Sequence, residues 1–408
     1  MTWPEITVKD VSLRITKGTT PTTLGEAFTD QGVRFIKAEA LNGDSNLDAN
    51  GFAFIDEKTH ELLRRSILQS EDVLITIAGA KTGKCGFVRE EHLPANTNQA
   101  VAIVRIDKQK AVPRFVYYLF KRKEMFSFIQ SLSAQAAQPN LNLTRLGQIH
   151  ISLPPSNQQR QITSILSAYD DLIENNRRRM QLLEQAARLL YKEWFVRFRF
   201  PGHEHVKIKD AVPEGWQKKK IEDICQTIGG GTPSTSNPAY WDSGDVTWVI
   251  PSDVTRNDCL PLIDSEKKIT ESGIKSSSAR MVPPETILMT SRASVGFFAL
   301  MDKEVCTNQG FINIVPHEAW LRMYLLHNLM YQVEEIRLHA GGATYKEISK
   351  GRFRQMAIIV PSKLLSQEFD DIAFRIFQQV RVLKKQQLNL MEARDLLLPR
   401  LMNGEIAV

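Results

Sequence analysis

Cysteine is scarce in this 408-residue chain: Cys85, Cys225, Cys259 and Cys306 lie far apart, with no Cys-x-x-Cys spacing and no histidine cluster beside them. That excludes a disulfide-stapled scaffold and a tetrahedral zinc site, and leaves buried free thiols. No apolar run approaches the length needed to span a bilayer, and the start Met1-Thr2-Trp3-Pro4-Glu5 has neither a charged n-region nor an apolar h-region. A protein of the reducing cytoplasm with no membrane partner is expected. The chain also lacks a Gly-x-Gly-x-x-Gly run and an Asn-Pro-Pro-aromatic tetrapeptide, and its eight histidines form no triad or metal grouping. Two imitations of catalytic motifs fail on detail. Gly79-Ala80-Lys81-Thr82-Gly83-Lys84-Cys85 is one residue short of a phosphate loop and ends in Cys rather than a Mg²⁺-binding hydroxyl. Asp258 or Asp264 with Glu266-Lys267-Lys268 resembles a nuclease acid/acid/lysine cluster and reads as solvated charge. No catalytic residue and no metal ligand is assigned.

What remains is ordinary globular material, with 42% hydrophobic and 24% charged residues, enough for two to four domains with real cores. Lys plus Arg exceed Asp plus Glu by 52 to 46, a net charge of +6, which makes a polyanion a reasonable partner.

The chain repeats itself at a shift of roughly 206 to 214 positions. Trp3 through Asp10-Val11 falls on Trp216 through Asp223-Ile224, and Gly18-Thr19-Thr20-Pro21-Thr22 on Gly230-Gly231-Thr232-Pro233-Ser234. Gly32 to Ile36 matches Asp245 to Val249, and Glu71 to Thr76 matches Glu285 to Thr290; these β-branched runs read as paired strands. Thr97-Asn98-Gln99 and Thr307-Asn308-Gln309 each lead into an apolar run, Val101 to Ile106 and Phe311 to Val315. A helical stretch follows in each half (Phe115 to Ser131; Ala319 to Leu338), then a strand closing on proline (Ile149 to Pro155; Met356 to Pro361).

A long helix then ends each copy. Ile162, Leu166, Tyr169, Ile173, Asn176, Met180, Leu183, Ala187, Leu190 and Trp194 recur at alternating steps of four and three, a coiled-coil seam. Phe369, Ala373, Ile376, Val380, Leu383, Gln387, Leu390, Arg394, Leu397 and Leu401 do the same. Asn176 and Gln387 interrupt the seams as amides expected to fix register by pairing. An intramolecular antiparallel pair on the order of 60 Å long is expected, with the β-rich domains at opposite ends. The expected fold class is therefore α+β: two similar β-rich domains separated by two long antiparallel coiled-coil helices. The expected boundaries are 1–155 and 201–362 for the domains, and 156–200 and 363–408 for the helices.

Base pairs are distinguished by amides and guanidinium groups on loops, because Arg matches guanine and Asn or Gln matches adenine in the major groove. Both halves offer such loops. Candidates in the first are Lys81, Thr82, Lys84, Asn96, Asn98, Gln99, Gln138, Asn140 and Asn142. In the second they are Thr232, Arg292, Ser294, Asn308, Gln309, Tyr345, Lys346, Arg352 and Arg354. Lys81, Lys84 and Arg292 suit phosphate contact, which positions DNA without reading it.

The run Gly229-Gly230-Gly231-Thr232-Pro233-Ser234, Tyr240-Trp241, and Ser291-Arg292-Ala293-Ser294-Val295-Gly296 before Thr307-Asn308-Gln309 resemble a target-recognition domain of the specificity subunits of type I restriction-modification enzymes. Leu153-Pro154-Pro155-Ser156 with Gln159 and Ile162 resembles that family's entry into its spacer helix, and Leu397 to Ile406 its usual ending. The first half departs from the pattern: Ile77-Ala78-Gly79-Ala80 stands where the second has Thr290-Ser291-Arg292-Ala293, and it lacks the Tyr-Trp pair. The resemblance implies a non-catalytic subunit reading a bipartite duplex DNA target, with spacer helices setting the unread gap. It implies two modification subunits methylating adenine with S-adenosylmethionine, and translocating restriction subunits using ATP and Mg²⁺. The alternatives are a related system whose partner fuses methyltransferase and nuclease, a stand-alone nuclease or methyltransferase, and a peptide-binding coiled-coil scaffold.

Overall fold

In the computed structural model, which describes residues 3–43, 46–134, 141–342 and 345–408, the chain divides into two units. Unit 1 comprises Met1–Asn175 and Leu388–Val408, and unit 2 comprises Asn176–Gln387.

In unit 1 the apolar runs become short strands: β1 Glu5–Thr7, β2 Ser12–Lys17, β3 Val33–Ile36, β4 Phe52–Ile55, β5 Val73–Thr76, β6 Cys85–Phe87, β7 Ala95–Thr97, β8 Val101–Ile106 and β9 His150–Ser152. They form an antiparallel sheet in the order β2-β8-β5-β6, a second sheet β4-β3-β7 whose β3 and β7 run parallel, and the pair β1-β9. The runs taken as strand partners, 32–36 and 71–76, therefore lie in different sheets. A strand buried on both faces, as β5 is, carries no alternation from which its neighbour could be read. The helices are α1 Glu57–Leu62, α2 Pro113–Lys121, α3 Lys123–Ala134, α4 Leu143–Gly147 and the long α5 Ser156–Tyr191, whose residues up to Asn175 belong here. The single helical stretch read over 115–131 is thus broken, because Arg122 takes an extended conformation (φ −61°, ψ 142°) between α2 and α3.

Unit 2 repeats this plan. Strands β12 Gln217–Lys220, β13 Cys225–Gly229, β14 Val246–Val249, β15 Lys267–Ile269, β16 Ile287–Thr290, β17 Phe298–Ala299, β18 Cys306–Thr307, β19 Phe311–Pro316 and β20 Ala357–Val360 form β13-β19-β16-β17, β15-β14-β18 and β12-β20. A hairpin of β10 Ile208–Lys209 and β11 Val212–Pro213 precedes them. Again one sheet holds a parallel pair, β14 with β18. Register is preserved as well as order: Thr76 pairs with Val101 in unit 1, and Thr290 with Phe311 in unit 2. The helices are α6 Pro251–Thr255, α7 Glu271–Lys275, α8 Arg322–Tyr331, α9 Val333–Leu338, α10 Lys350–Arg354 and α11 Lys363–Met402.

Backbone strain is copied too. Glu71 and Glu285 both hold positive φ (70° and 61°) at the turn into β5 and β16. Gly79 and Ala293 (87° and 60°), and Gly83 and Gly296 (91° and 83°), do so in the following loops. These positions place Ile77 on Ser291 and Ala78 on Arg292, correcting by one residue the comparison of 77–80 with 290–293.

Within each unit the long-helix segments run antiparallel and close the core. In unit 1, Ile162 and Leu166 of α5 share a buried cluster with Leu398, Leu401 and Met402 of α11. In unit 2, Met180 packs with Val380 and Leu383, and Tyr191 and Trp194 with Phe369. The seam residues Ile162, Leu166, Ile173, Met180, Ala187, Phe369, Ala373, Val380, Leu383 and Leu401 are buried. Tyr169, Leu183, Leu190, Ile376, Leu390 and Leu397 are half-buried. The amides Asn176 and Gln387 are buried, but Gln387 Oε1 has no hydrogen-bond partner, so the matched amide pair does not form at that oxygen. The polar contact that ties the helices in unit 1 is ionic instead, between Asp170 and Arg394.

Candidate nucleic-acid interface

Four loop segments are hydrogen-bonded together in each unit, by the same bonds. In unit 1 the Gly-Thr-Thr-Pro loop lies on the Thr97-Asn98-Gln99 turn: Thr19 N–H donates to Thr97 O (3.2 Å), and Thr20 Oγ1 to Gln99 Oε1 (2.8 Å). In unit 2 Gly231 N–H donates to Thr307 O (2.9 Å), and Thr232 Oγ1 to Gln309 Oε1. Only glycine permits this approach. A Cβ on Gly18 would sit 2.1 Å from Thr97 O, and one on Gly230 would sit 2.0 Å from Asn308 O. The turn itself is closed by Asn98 Oδ1, which accepts from Ala100 N–H (3.2 Å), and by Asn308 Oδ1, which accepts from Gly310 N–H (2.9 Å).

The loop after the central strand joins next. Ile77 N–H donates to Ala100 O and Ser291 N–H to Gly310 O, each at 2.8 Å. A fourth segment closes the cluster through Leu141 N–H to Ile77 O and Ile348 N–H to Ser291 O, each at 3.0 Å. The repeated Gly-Thr-Pro and Thr-Asn-Gln signatures thus have one physical cause: they lock two loops together and leave the outer groups accessible.

The candidate residues divide by exposure. Gln99, Gln309, Asn142, Arg292, Tyr345, Lys346 and Arg352 are exposed, and Asn98, Asn308, Thr232 and Ser294 half-buried. Arg292 Nε lies 3.6 Å from Glu347, and Arg352 Nη2 3.1 Å from His339 Nδ1. Asn142 caps α4 by accepting from Arg145 N–H (2.7 Å). Thr82 is buried and donates to Gly79 O (2.7 Å), Asn96 is buried between His60 and Leu63 O, and Arg354 is held by Thr227. Lys81 Nζ donates to Glu39 O (3.2 Å), while Lys84 lies over the Phe126 ring. Gln138 and Asn140 lie outside the described residues.

The apparent catalytic motifs are structural. The 79–85 segment joins two strands, β5 and β6, rather than running from a strand into a helix as a phosphate loop does. Burial raises the pKa of Asp264, but hydrogen bonds from Lys268 and Lys303 outweigh it and hold the carboxyl at about 2, far from a general base working near neutrality. Asp258 is ion-paired with Lys384, and Glu266 lies 3.9 Å from Arg256. Among the described residues no three His, Cys, Asp or Glu side chains stand close enough to hold a metal ion, and no helix is long and apolar enough to cross a membrane.

A duplicated β-rich unit with a locked loop cluster, followed each time by a long helix, defines a class of tandem recognition proteins. The family described as "Type I restriction modification DNA specificity domain" matches residues 1–185 and 213–392, and the chain belongs to that family of specificity subunits. The specificity subunit of the type I restriction enzyme MjaIX of Methanocaldococcus jannaschii is 25% identical, over 100% of this chain and 94% of its own. That of HindI from Haemophilus influenzae is 23% identical, over 84% and 88%. The fold matches the crystal structure of the type I S subunit from M. genitalium with a TM-score of 0.61 at 16% identity, over 98% of this chain and 96% of that one.

Proposed function

We propose that this chain supplies the address for a cytoplasmic type I restriction-modification complex. Each loop cluster reads one half of a bipartite duplex DNA target, and the long helices set the unread gap. The observation that carries this reading is the pair of loop clusters built by the same bonds but bearing different outward side chains. Arg292 has Ala78 at its place in unit 1, and Lys346 and Tyr345 stand in unit 2 alone. Same scaffold with different chemistry is what reading two different half-sites requires. Arg292 and Lys346 serve as phosphate contacts in unit 2 and Lys81 in unit 1, while Gln99, Asn98, Asn308 and Gln309 face bases. The chain contributes no catalytic group. S-adenosylmethionine serves the two modification subunits docked on it, and ATP and Mg²⁺ serve the restriction subunits.

Selection of bound duplexes from a random pool, followed by sequencing, tests the reading. Two conserved blocks separated by a fixed unconserved gap are expected, whereas one contiguous block would refute it. Arg292→Ala should weaken binding and lower the salt slope by about one, without changing the preferred sequence. Asn308 or Gln309 replaced should change one block alone.

A further inference from the structure

Unit 2 holds an open cavity of about 250 Å³ against its loop cluster. Ala293 and Phe297 of the loop after β16 form one wall, Arg337 and Ala340 a second, and Lys346 a third. The cavity adjoins the locked segments directly, since Ala293 N–H donates to Lys346 O (2.9 Å). Phe297 is the anomaly. Its residue is 39% exposed, on the same loop that carries the exposed Arg292. Its backbone is nonetheless fixed to β16: Phe297 N–H donates to Thr290 Oγ1, and Phe297 O accepts from Thr290 N–H, each at 2.9 Å.

Unit 1 has Lys84 at this place. Lys84 O accepts from Thr76 N–H (2.8 Å) as Phe297 O does from Thr290 N–H, and the next residues, Cys85 and Phe298, pair with Ile75 and Met289. A cation lies near an aromatic ring at both places, but with the partners exchanged. In unit 1 the loop supplies the cation, Lys84 Nζ lying 5.2 Å from the centroid of Phe126 on α3. In unit 2 the loop supplies the ring, and Arg337 of α9 brings its guanidinium carbon to 6.0 Å. Gly296 permits that packing, because a Cβ there would lie 2.5 Å from Val333 Cγ2. Arg337 also donates to Val295 O (3.1 Å) and to Glu334 Oε1 (2.7 Å), so its charge is matched and it adds a flat wall rather than an anion site. The remaining wall cation is Lys346, and between the cations the surface is apolar.

We propose that this cavity recognises thymine in the half-site of unit 2, taking the 5-methyl group of the base against Phe297, Ala293 and Ala340 while Lys346 holds a neighbouring phosphate. Thymine alone among the four bases offers an apolar group in the major groove, and phenyl and alanine side chains are suited to contact it. The proposal rests on the loop cluster being the DNA-contacting face, and adds to that reading one base identity and the residues that select it. Unit 1 carries an ammonium group where this ring stands, so its half-site is selected by different chemistry.

The test replaces each thymine of the selected duplex in turn by uracil, which lacks only the 5-methyl group, and measures the affinity of the full-length chain. Within the block altered by replacing Asn308 or Gln309, one such replacement should weaken binding about fourfold, the effect of removing one methyl group from contact. Phe297→Ala should abolish the difference between thymine and uracil at that position. Ala340→Glu, which blocks the cavity from the other wall and leaves Phe297 in place, should do the same and guards against a folding defect in Phe297→Ala. Lys346→Ala should weaken both duplexes alike and keep the difference. A block without thymine, a uracil series without effect in it, or a difference that survives both Phe297→Ala and Ala340→Glu would overturn the proposal, while the two selected blocks would still support the reading beneath it. Absence of any block that responds to Asn308 and Gln309 would overturn both.

Discussion

In unit 1 the paired long-helix segments meet through Asp170 and Arg394, whereas in unit 2 the corresponding layer holds Phe377 and Ala187. The correspondence follows from counting along the seams, since Asp170 and Phe377 stand equally far beyond Ile162 and Phe369, and Arg394 and Ala187 equally far before Leu401 and Trp194. Around Asp170 the network is dense: Arg394 Nη1 donates to Oδ1 (2.9 Å), Tyr118 Oη to Oδ2 (2.7 Å), and Lys121 adds its charge. Burial raises the Asp170 pKa, but Lys121, Tyr118 and Arg394 together hold it below the ordinary carboxylate range. In unit 2, Phe377 and Ala187 lie with Ala373, Val380 and Met323 around a small, mostly apolar cleft whose wall also carries Glu184 and His327. One fold therefore tolerates two solutions for the same layer. The charged one is demanding, because every member must stay paired, and around Phe377 and Ala187 the fit depends chiefly on shape.

The largest effect that would break this comparison is expected from Arg394→Met. It leaves a buried carboxylate with Lys121 as its remaining counter-charge and the Tyr118 hydroxyl as its remaining donor, and should cost about 3–5 kcal/mol. Replacing the whole set, Lys121→Met/Asp170→Leu/Arg394→Met, should recover most of that loss. Hydrogen exchange of residues 156–175 against 176–191 reads which unit has opened, and equal losses in single and triple variants would show that the pair is not a closed electrostatic unit.

A pH series separates the units next. Burial lowers His327 in unit 2 to about 4, well below the 6.5 of an exposed imidazole. As pH falls from about 6.5 to about 4 the unfolded chain takes up a proton that the folded one refuses, so stability falls across that window, by an amount on the order of 3 kcal/mol. His92 in unit 1, also lowered by burial to about 4, acts in the same direction. Asp170 loses its stabilising contribution only below the ordinary carboxylate value, as the pH falls through its lowered pKa. His327→Gln should flatten the acid limb for unit 2 and leave that of unit 1 unchanged, as read by exchange or by urea midpoints.

Phe377→Leu should cost on the order of 1 kcal/mol, since it alters packing without stranding a charge. The smallest effects belong to what the units share. Thr20→Val and Thr232→Val each remove one exposed hydrogen bond to a turn glutamine, and about 0.5 kcal/mol is expected from each. Each should relax selectivity in its own half of the DNA target alone, measured by sequencing selected duplexes; loss in both halves would mean the clusters do not act separately.

The duplication, the strand runs and both seams were legible because each is a local pattern repeated in order, and the Gly-Thr-Pro and Thr-Asn-Gln signatures both fall within the loop cluster. Their mutual locking was not legible. Gln99 and Gln309 are partners of threonines some eighty residues earlier, and nothing local announces that contact. Thr82 and Asn96 show the opposite error: polar residues in a loop-like setting that are consumed inside the fold.

The linear sequence determined that this protein is a twofold copy of one β-rich unit, each with a heptad helix, because hydrophobic period and turn chemistry act over a few residues. Only the tertiary structure decided that Arg394, read as a seam position, finds Asp170 from outside the seam, with Lys121 buried beside that carboxylate. Electrostatic partners in a core are chosen by distance in space, which the spacing of residues along a chain does not encode.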